Sequence, residues 1–384
     1  MKKNVLMFAA FLIVSLAAFA QGQKRFNLYA VGFYNQENLF DTCHDEGKND
    51  YEYLPAKGWN GMKYTNKLRN MAKALADMGT DKLPKVGCAF IGLSEVENHK
   101  VLDDLIEQAP LKARNMKYCH IEGPDRRGID CAFLYNPSLF SVKNVKLVPY
   151  VQEKAKDSAY YTRGFLTVRG EMAGEDVAVI VCHWPSRFSG SFYRESGARQ
   201  TKAVKDSLLR INKDMKVFVM GDMNDDPTNK SMHEVLSAKP EISQVGPNDM
   251  YNPWYNILAK QGKGTLFYNG NWNLFDQIVI TPNLLNKDAK NKDFSTLKYF
   301  AHQVFRRDYL IQQEGQYKGA PLRTQAGGRW LNGFSDHLPV VMYLVKELKK
   351  KFSSMLRKRQ RTSIMHSWIP SALIKTSAKS VISA

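Results

Sequence analysis

The chain has 384 residues, five cysteines and a formal net charge of +18. An odd number of cysteines without CxxC spacing argues against a disulfide scaffold and against a zinc knuckle. Two of the positive charges lie in residues 1–20 and nine in residues 349–384, so residues 21–348 carry only +7. Such a moderately basic body is compatible with polyanionic partners but is not diagnostic of them.

The N-terminus has the pattern of an export signal. Two lysines precede an apolar run at residues 5–19, and Ala18 and Ala20 supply the small residues that a signal peptidase needs. We therefore expect a signal peptide at residues 1–20 and a periplasmic or extracellular protein. The apolar run is shorter than the roughly 20 residues that a membrane span requires, which makes a retained anchor the minor alternative.

From residue 21 to residue 348, strand-like and helical patterns alternate without a Pro/Gly/Ser-rich linker, which predicts one domain. Strands are predicted at 26–34, 87–94, 129–135, 164–171, 177–183, 216–221, 275–281 and 338–345. Helices are predicted at 64–78, 99–108 and 194–212. Many short strands and few helices favour an α/β protein of two packed, mainly antiparallel β-sheets flanked by helices, a four-layer α/β sandwich.

The last 36 residues, 349–384, contain nine Lys or Arg and no acidic residue. We predict a solvated basic tail without a stable fold. Such a tail can bind nucleic acid or an anionic lipid surface nonspecifically.

Polar side chains recur where the predicted strands end. They are Asn35, Glu37, Glu95, His183, Asp222, Asn224, Asp276, Asp336 and His337. Because strand ends meet at one edge of a sheet, these side chains can share one pocket. A set this rich in oxygen ligands suits Mg²⁺ or Mn²⁺, whereas Zn²⁺ favours more nitrogen or sulfur ligands. A hard cation among carboxylates and imidazoles is suited to displacement at phosphorus. The chain has no GxxxxGK[ST] loop, so no nucleotide cofactor is expected.

Six motifs, in this order, resemble the endonuclease/exonuclease/phosphatase superfamily, which includes pancreatic deoxyribonuclease and the abasic-site endonucleases. The matching positions within residues 26–346 are Asn35 with Glu37, Glu95, His183, Gly221-Asp222-Met223-Asn224, Asp276 and Ser335-Asp336-His337. Taken singly, each position also has a structural explanation, such as a turn cap or a buried carboxylate. Six ordered matches together favour a common site.

The resemblance implies a role for each matched residue. It implies that Asn35, Glu37, Glu95 and Asp336 hold the cation, Mg²⁺ or Mn²⁺. It implies that Asp222 activates or orients the attacking water and that Asn224 positions that water or the phosphate. His337, oriented by Asp276, would bind the phosphate or act as general base, and His183 would serve the phosphate or the leaving group. Arg127 lies at a position suited to phosphate contact.

The leading hypothesis is an exported, metal-dependent nuclease that hydrolyses phosphodiester bonds of DNA or RNA, acting as a monomer. Basic and aromatic residues in predicted loops would grip the nucleic acid, among them Arg126, Arg127, Arg163, Arg187, Arg194, Trp184, Phe188, Tyr193, Tyr268 and Trp272. A sphingomyelinase-like phospholipid phosphodiesterase is the alternative, with an exposed aromatic hairpin within residues 250–272. A phosphomonoesterase on sugar or inositol phosphates also remains open. The non-enzymatic alternative is a polyanion-binding module.

Overall fold

The structure is a computed structural model that describes residues 24–153 and 161–348. The predicted signal peptide and the predicted basic tail lie outside the described residues. The division of the chain at residues 20 and 348 therefore stays a prediction.

The described residues contain seventeen strands and five α-helices, with shorter helical turns between them. The strands are β1 (Phe26–Leu39), β2 (Cys88–Val96), β3 (Lys117–His120), β4 (Asp130–Tyr135), β5 (Phe140–Val148), β6 (Phe165–Met172), β7 (Glu175–His183), β8 (Lys216–Asp222), β9 (Ala238–Lys239), β10 (Met250–Tyr251), β11 (Leu266–Tyr268), β12 (Asn271–Asn273), β13 (Asp276–Ile280), β14 (Lys298–Val304), β15 (Gln325–Ala326), β16 (Arg329–Trp330) and β17 (Val340–Glu347). The helices are α1 (Gly61–Asp77), α2 (His99–Ile106), α3 (Ala109–Lys112), α4 (Ser191–Ile211) and α5 (Trp254–Gln261).

Two large mixed sheets organise these strands. The first has the order β14-β17-β1-β2-β4-β3, and the second has the order β5-β6-β7-β8-β13-β10-β9. Most neighbours are antiparallel, but β1 pairs with β2, β7 with β8 and β9 with β10 in parallel. The small hairpins β11–β12 and β15–β16 lie outside the two sheets.

Side chains that alternate along each strand build the four layers. On β1, Val31 and Phe33 face the core between the sheets, whereas Ala30 and Tyr34 face the layer that contains α1, α2 and α3. On β8, Phe218 faces the same central core, and its neighbours face the layer that contains α4. This alternation is the period of two that a strand imposes on its side chains. The predicted four-layer α/β sandwich is confirmed.

Short polar residues begin two of the helices, as expected for N-caps. The side chain of Asn60 accepts a hydrogen bond from the Lys63 amide at the start of α1, and Asn98 accepts one from the Val101 amide at the start of α2. Because Asn98 lies two residues after the end of β2, its cap helps to fix the segment that follows Glu95. Among the described residues, no helix has both the length and the apolar character needed to cross a bilayer.

Candidate active site

The site lies where five strands of the two sheets end together. In the second sheet, the register places His183 at the end of β7 opposite Asp222 on β8, and Asp222 opposite Asp276 on β13. In the first sheet, Asn35 on β1 pairs with Ser94 on β2, next to Glu95. The predicted convergence of these strand-end residues is therefore what the structure shows.

Close packing of β7 on β8 explains the glycine that precedes Asp222. A Cβ atom on Gly221 would lie 2.1 Å from the carbonyl oxygen of Cys182, so any larger residue would force the two strands apart. Glycine at this position therefore allows the His183 and Asp222 side chains to approach each other.

Asn35 joins the two sheets within the site. Its Nδ2 donates to Glu95 Oε1 at 3.2 Å and to Asp222 Oδ2 at 3.0 Å, and its Oδ1 accepts from the Glu37 amide at 2.8 Å. The Asn38 amide donates to the other Glu95 oxygen at 2.9 Å. Glu37, Asn38 and Glu95 all have positive φ angles, which are uncommon for residues with a side chain and typical of functional turns.

Glu95, His183 and Asp222 form one candidate cation site. His183 Nε2 lies 3.6 Å from Asp222 Oδ2 and 3.9 Å from Glu95 Oε1, and one ligand atom from each residue lies within 4.8 Å of the others. Burial, reinforced by Arg163 and Arg127, lowers the pKa of His183 well below its usual value, so this imidazole is neutral at physiological pH.

The second histidine has the opposite charge state. His337 Nδ1 lies 2.6 Å from Asp276 Oδ2, and both side chains are buried. Burial lowers the pKa of His337, but the carboxylates of Asp276 and Asp222 outweigh it and raise that pKa well above its usual value. Burial in turn raises the pKa of Asp222 to about 7, with His337 opposing the shift and Asp276 adding to it. His337 is therefore an imidazolium held in place by Asp276.

Asn224 and Arg127 occupy the rim of this cluster. The backbone amide of Asn224 donates to Asp222 Oδ1 at 2.9 Å, and the Asn224 side-chain Nδ2 donates to the Trp184 carbonyl at 2.9 Å. Asn224 thus fixes Asp222 and the segment after His183. The Arg127 side chain is half exposed, with Nε 3.6 Å from Asp125 Oδ1, and it lines a cleft together with Asn38.

The two remaining predicted metal ligands converge on an arginine that the sequence did not reveal. Arg323 Nε lies 3.2 Å from Glu37 Oε1, and Arg323 Nη2 lies 2.9 Å from Asp336 Oδ2. The Thr324 amide donates to the second Glu37 oxygen at 2.6 Å. Glu37 and Asp336 thus form a separate group from Glu95, and their assignment as ligands stays a prediction.

Several predicted nucleic-acid contacts are instead internal. Arg163 is buried and pairs with Asp125 at 3.0 Å, and Arg194 is buried and pairs with Asp225 at 2.8 Å. Trp184 is only 1% exposed, so it cannot stack on a base. The expectation that these three residues grip a phosphate backbone is wrong, because each has its partners inside the fold.

The fold and the site together define a hydrolase of phosphate esters. The sequence model described as the endonuclease/exonuclease/phosphatase family matches residues 30–346, and the chain belongs to that family. The matched range includes every predicted site residue.

Solved structures with the same fold have low sequence identity to this chain. An endonuclease/exonuclease/phosphatase family protein from Bacteroides thetaiotaomicron is 16% identical, with 85% of this chain and 98% of that chain covered and a TM-score of 0.50. A mannosyl-6-phosphatase from the same organism is 16% identical, with 82% and 99% covered and a TM-score of 0.50. TDP2 from D. rerio, complexed with a single strand DNA product, is 13% identical, with 83% and 99% covered and a TM-score of 0.49. A search of curated protein sequences gave no match. At this identity the two likenesses with a TM-score of 0.50 show the fold alone.

Proposed function

We propose that the chain is an exported phosphoesterase that uses Mg²⁺ or Mn²⁺ to hydrolyse a compact organic phosphate. The observation that carries this proposal is the cluster of Glu95, Asp222, His183 and His337 at the joined strand ends. Export is supported by the pattern of residues 1–20. The expectation of a monomer stays a prediction.

The residues present fit a hard divalent cation. Glu95 and Asp222 are both hydrogen-bonded to the one Asn35 amide group, which holds the two carboxylates close together. Like charges held together in a buried site disfavour each other, and a bound cation relieves that repulsion. Glu95, with Asn35 and Asp222 beside it, would hold the ion, and carboxylate and amide oxygens are the ligands that Mg²⁺ and Mn²⁺ prefer.

The side chains of the site divide the remaining work. When bound, the cation would withdraw charge from a phosphoryl oxygen. The His337 imidazolium donates through Nε2 toward a phosphate oxygen while Asp276 accepts from its Nδ1. Asp222 orients and deprotonates the attacking water. The Arg323 guanidinium, which is partly exposed, binds a second phosphate oxygen.

The proposed substrate is compact because the site opens into bounded clefts. One cleft of about 250 Å³ is lined by Glu37, Tyr53, Trp59 and Arg323, and another of about 550 Å³ is lined by Tyr268, Arg323 and Asp336. Volumes of this order fit small ligands. Two of the five arginines expected to bind a nucleic-acid backbone are buried in ion pairs instead.

Nucleic acid is the second candidate substrate, so nuclease activity on DNA or RNA must be tested. The observation that favours it is the half-exposed Arg127 in a cleft with Tyr51 and Tyr53, a combination that can bind phosphate and stack on a base. A phospholipid is less well supported, because within residues 250–272 Tyr251 and Trp254 are buried and Tyr268, on the β11–β12 hairpin, is the one largely exposed aromatic.

The test is product release by the full chain from glucose 6-phosphate, bis-p-nitrophenyl phosphate, plasmid DNA, RNA and sphingomyelin, with Mg²⁺ or Mn²⁺ and after chelation. We expect metal-dependent turnover of the small phosphates that Glu95→Gln abolishes. Asp288→Asn, which alters an exposed carboxylate in a surface loop, serves as the matched control. Turnover of nucleic acid alone would establish the second candidate. Folded protein without turnover of any ester would overturn the phosphoesterase proposal and leave the polyanion-binding module.

A further inference from the structure

A cleft beside the catalytic cluster is lined by uncharged ring and amide side chains. It has a volume of about 550 Å³, and Arg323 and Asp336 form the part nearest the cluster. Asp336 Oδ1 lies 4.0 Å from His337 Nε2, so the inner end of this cleft adjoins the catalytic cluster. We call it the side cleft; its outer walls carry Tyr268, Asn269, Gln312, Gln316 and Tyr317.

The first wall is the β11–β12 hairpin, which is fastened to the catalytic segment. Leu266 forms a β-bridge with His337, and the Leu338 amide donates to the Thr265 carbonyl at 2.8 Å. Phe267 packs on Trp272 across the hairpin, with ring centroids 5.3 Å apart. The position of Tyr268 relative to His337 is therefore fixed by the backbone, which is what a specificity residue requires.

The second wall is the loop at residues 312–320. Its two ends are joined by hydrogen bonds from the Gln312 amide to the Ala320 carbonyl and from the Gly319 amide to the Gln312 carbonyl, both 2.8 Å long. Tyr317 on this loop is 53% exposed, and Tyr268 on the hairpin is 63% exposed. Both tyrosine rings are thus largely exposed to solvent and line the same cleft.

The polar groups of these walls match a hydroxyl-rich ring. A hydroxyl both donates and accepts, and a primary amide offers both functions within one side chain. No hydrogen bond within the described residues uses the side chains of Asn269, Gln316, Tyr268 or Tyr317, so all four are available to a ligand. Apart from Arg323 and Asp336 at the inner end, the cleft lining carries no charge. The nearby Arg306 guanidinium donates to the Gly319 carbonyl at 2.8 Å and is not part of the cleft lining.

We propose that the side cleft binds the sugar ring of a phosphorylated sugar, with the ring against Tyr268 and Tyr317 and its hydroxyls hydrogen-bonded to the Asn and Gln amides. This inference rests on the proposed function, because it names the substrate class of the same site. The scissile phosphate then lies between His337 and Arg323, at the inner end of the cleft.

The experiment compares glucose 6-phosphate, glycerol 3-phosphate and adenosine monophosphate as substrates of the full chain with saturating Mn²⁺. Tyr268→Ala and Tyr317→Ala are tested beside Tyr268→Phe, which keeps the ring, and Phe300→Ala, an exposed aromatic on β14 that does not line the cleft. We expect wild type to favour glucose 6-phosphate. We also expect Tyr268→Ala and Tyr317→Ala each to raise the KM for glucose 6-phosphate by about three- to tenfold, as loss of one aromatic contact predicts. The KM for glycerol 3-phosphate should rise by less.

A binding measurement separates this inference from the proposed function. Calorimetry measures the dissociation constant of glucose 6-phosphate from the Glu95→Gln variant. Adding Tyr268→Ala to this variant should weaken binding by a factor similar to the expected rise in KM, and adding Phe300→Ala should leave binding unchanged. Turnover without a sugar preference, or with KM values insensitive to both tyrosines, overturns the sugar cleft and leaves the phosphoesterase intact. A preference for adenosine monophosphate that depends on the tyrosines assigns the cleft to a nucleoside instead. Sugar-phosphate binding without any turnover supports the cleft and overturns the proposed reaction.

Discussion

Arg323→Met removes the guanidinium that lies between Glu37 and Asp336. In the structure, Arg323 Nε is 3.2 Å from Glu37 Oε1 and Arg323 Nη2 is 2.9 Å from Asp336 Oδ2. The Arg323 side chain is 43% exposed, so these ion pairs are screened by water and contribute about 1 kcal/mol or less to stability. The effect on activity should be larger, because one hydrogen bond from a charged group to a phosphate oxygen contributes about 1.5–3 kcal/mol, equivalent to about ten- to hundredfold in kcat/KM.

The assay measures kcat/KM for glucose 6-phosphate with wild type, Arg323→Met, Arg323→Lys and Arg307→Met. Arg307 is a matched control, because it also bridges two carboxylates, Asp77 and Asp81, but lies outside the site. We expect a loss of about ten- to hundredfold for Arg323→Met, a smaller loss for Arg323→Lys, which keeps the charge without the fork, and none for Arg307→Met. An Arg323→Met variant with wild-type kcat/KM would refute the phosphate-binding role.

Three further predictions concern a catalytic residue, a buried lysine and the core. Asp276→Asn should lower kcat by about a hundredfold, because the His337 imidazolium loses the carboxylate that holds it. An unchanged kcat in steady-state kinetics of the folded variant would contradict this role. Burial lowers the pKa of Lys67 from 10.5 to about 8. Between these pH values the unfolded chain keeps a proton on Lys67 that the folded chain has lost, so the free energy of unfolding rises with pH over this range. Urea unfolding should therefore show that the free energy of unfolding of wild type, relative to Lys67→Met, rises by about 3 kcal/mol from pH 8 to pH 10.5. Parallel pH profiles for the two proteins would count against the lowered pKa of Lys67. Phe90→Ala should cost about 3–5 kcal/mol, because this buried ring packs on Phe133, Phe140 and Phe218, and a loss below about 1 kcal/mol would disprove that packing account.

The strands that the sequence predicts are those buried on both faces. The apolar runs of β7 and β8 lie between two layers, so their composition alone indicated them. The edge strand β5 was not predicted, because Lys143 and Lys146 alternate with apolar residues and only its first residue, Phe140, is fully buried. The edge strand β14 was missed for the same reason, since none of its residues is buried.

The catalytic cluster was predictable because its members lie at or next to the ends of strands that must meet. Arg323 was not, since it lies in an irregular segment without a periodic pattern, and its partner Glu37 is 286 residues away in sequence. The burial of Arg163 and Arg194 was equally hidden. Charged residues are almost never buried without a partner, and the sequence does not reveal that Asp125 and Asp225 are those partners.

The most direct test of the account is the rate of Mn²⁺-dependent hydrolysis of bis-p-nitrophenyl phosphate by wild type, Glu95→Gln and Asp288→Asn, each confirmed as folded by circular dichroism. The account predicts that chelation abolishes the wild-type rate and that Asp288→Asn matches wild type. It also predicts that Glu95→Gln loses more than about a hundredfold at every Mn²⁺ concentration, because a residue that holds the cation contributes more than the groups that only orient it. Wild-type rates for Glu95→Gln, or rates unaffected by chelation, would contradict the assignment of a metal-dependent phosphoesterase to this site.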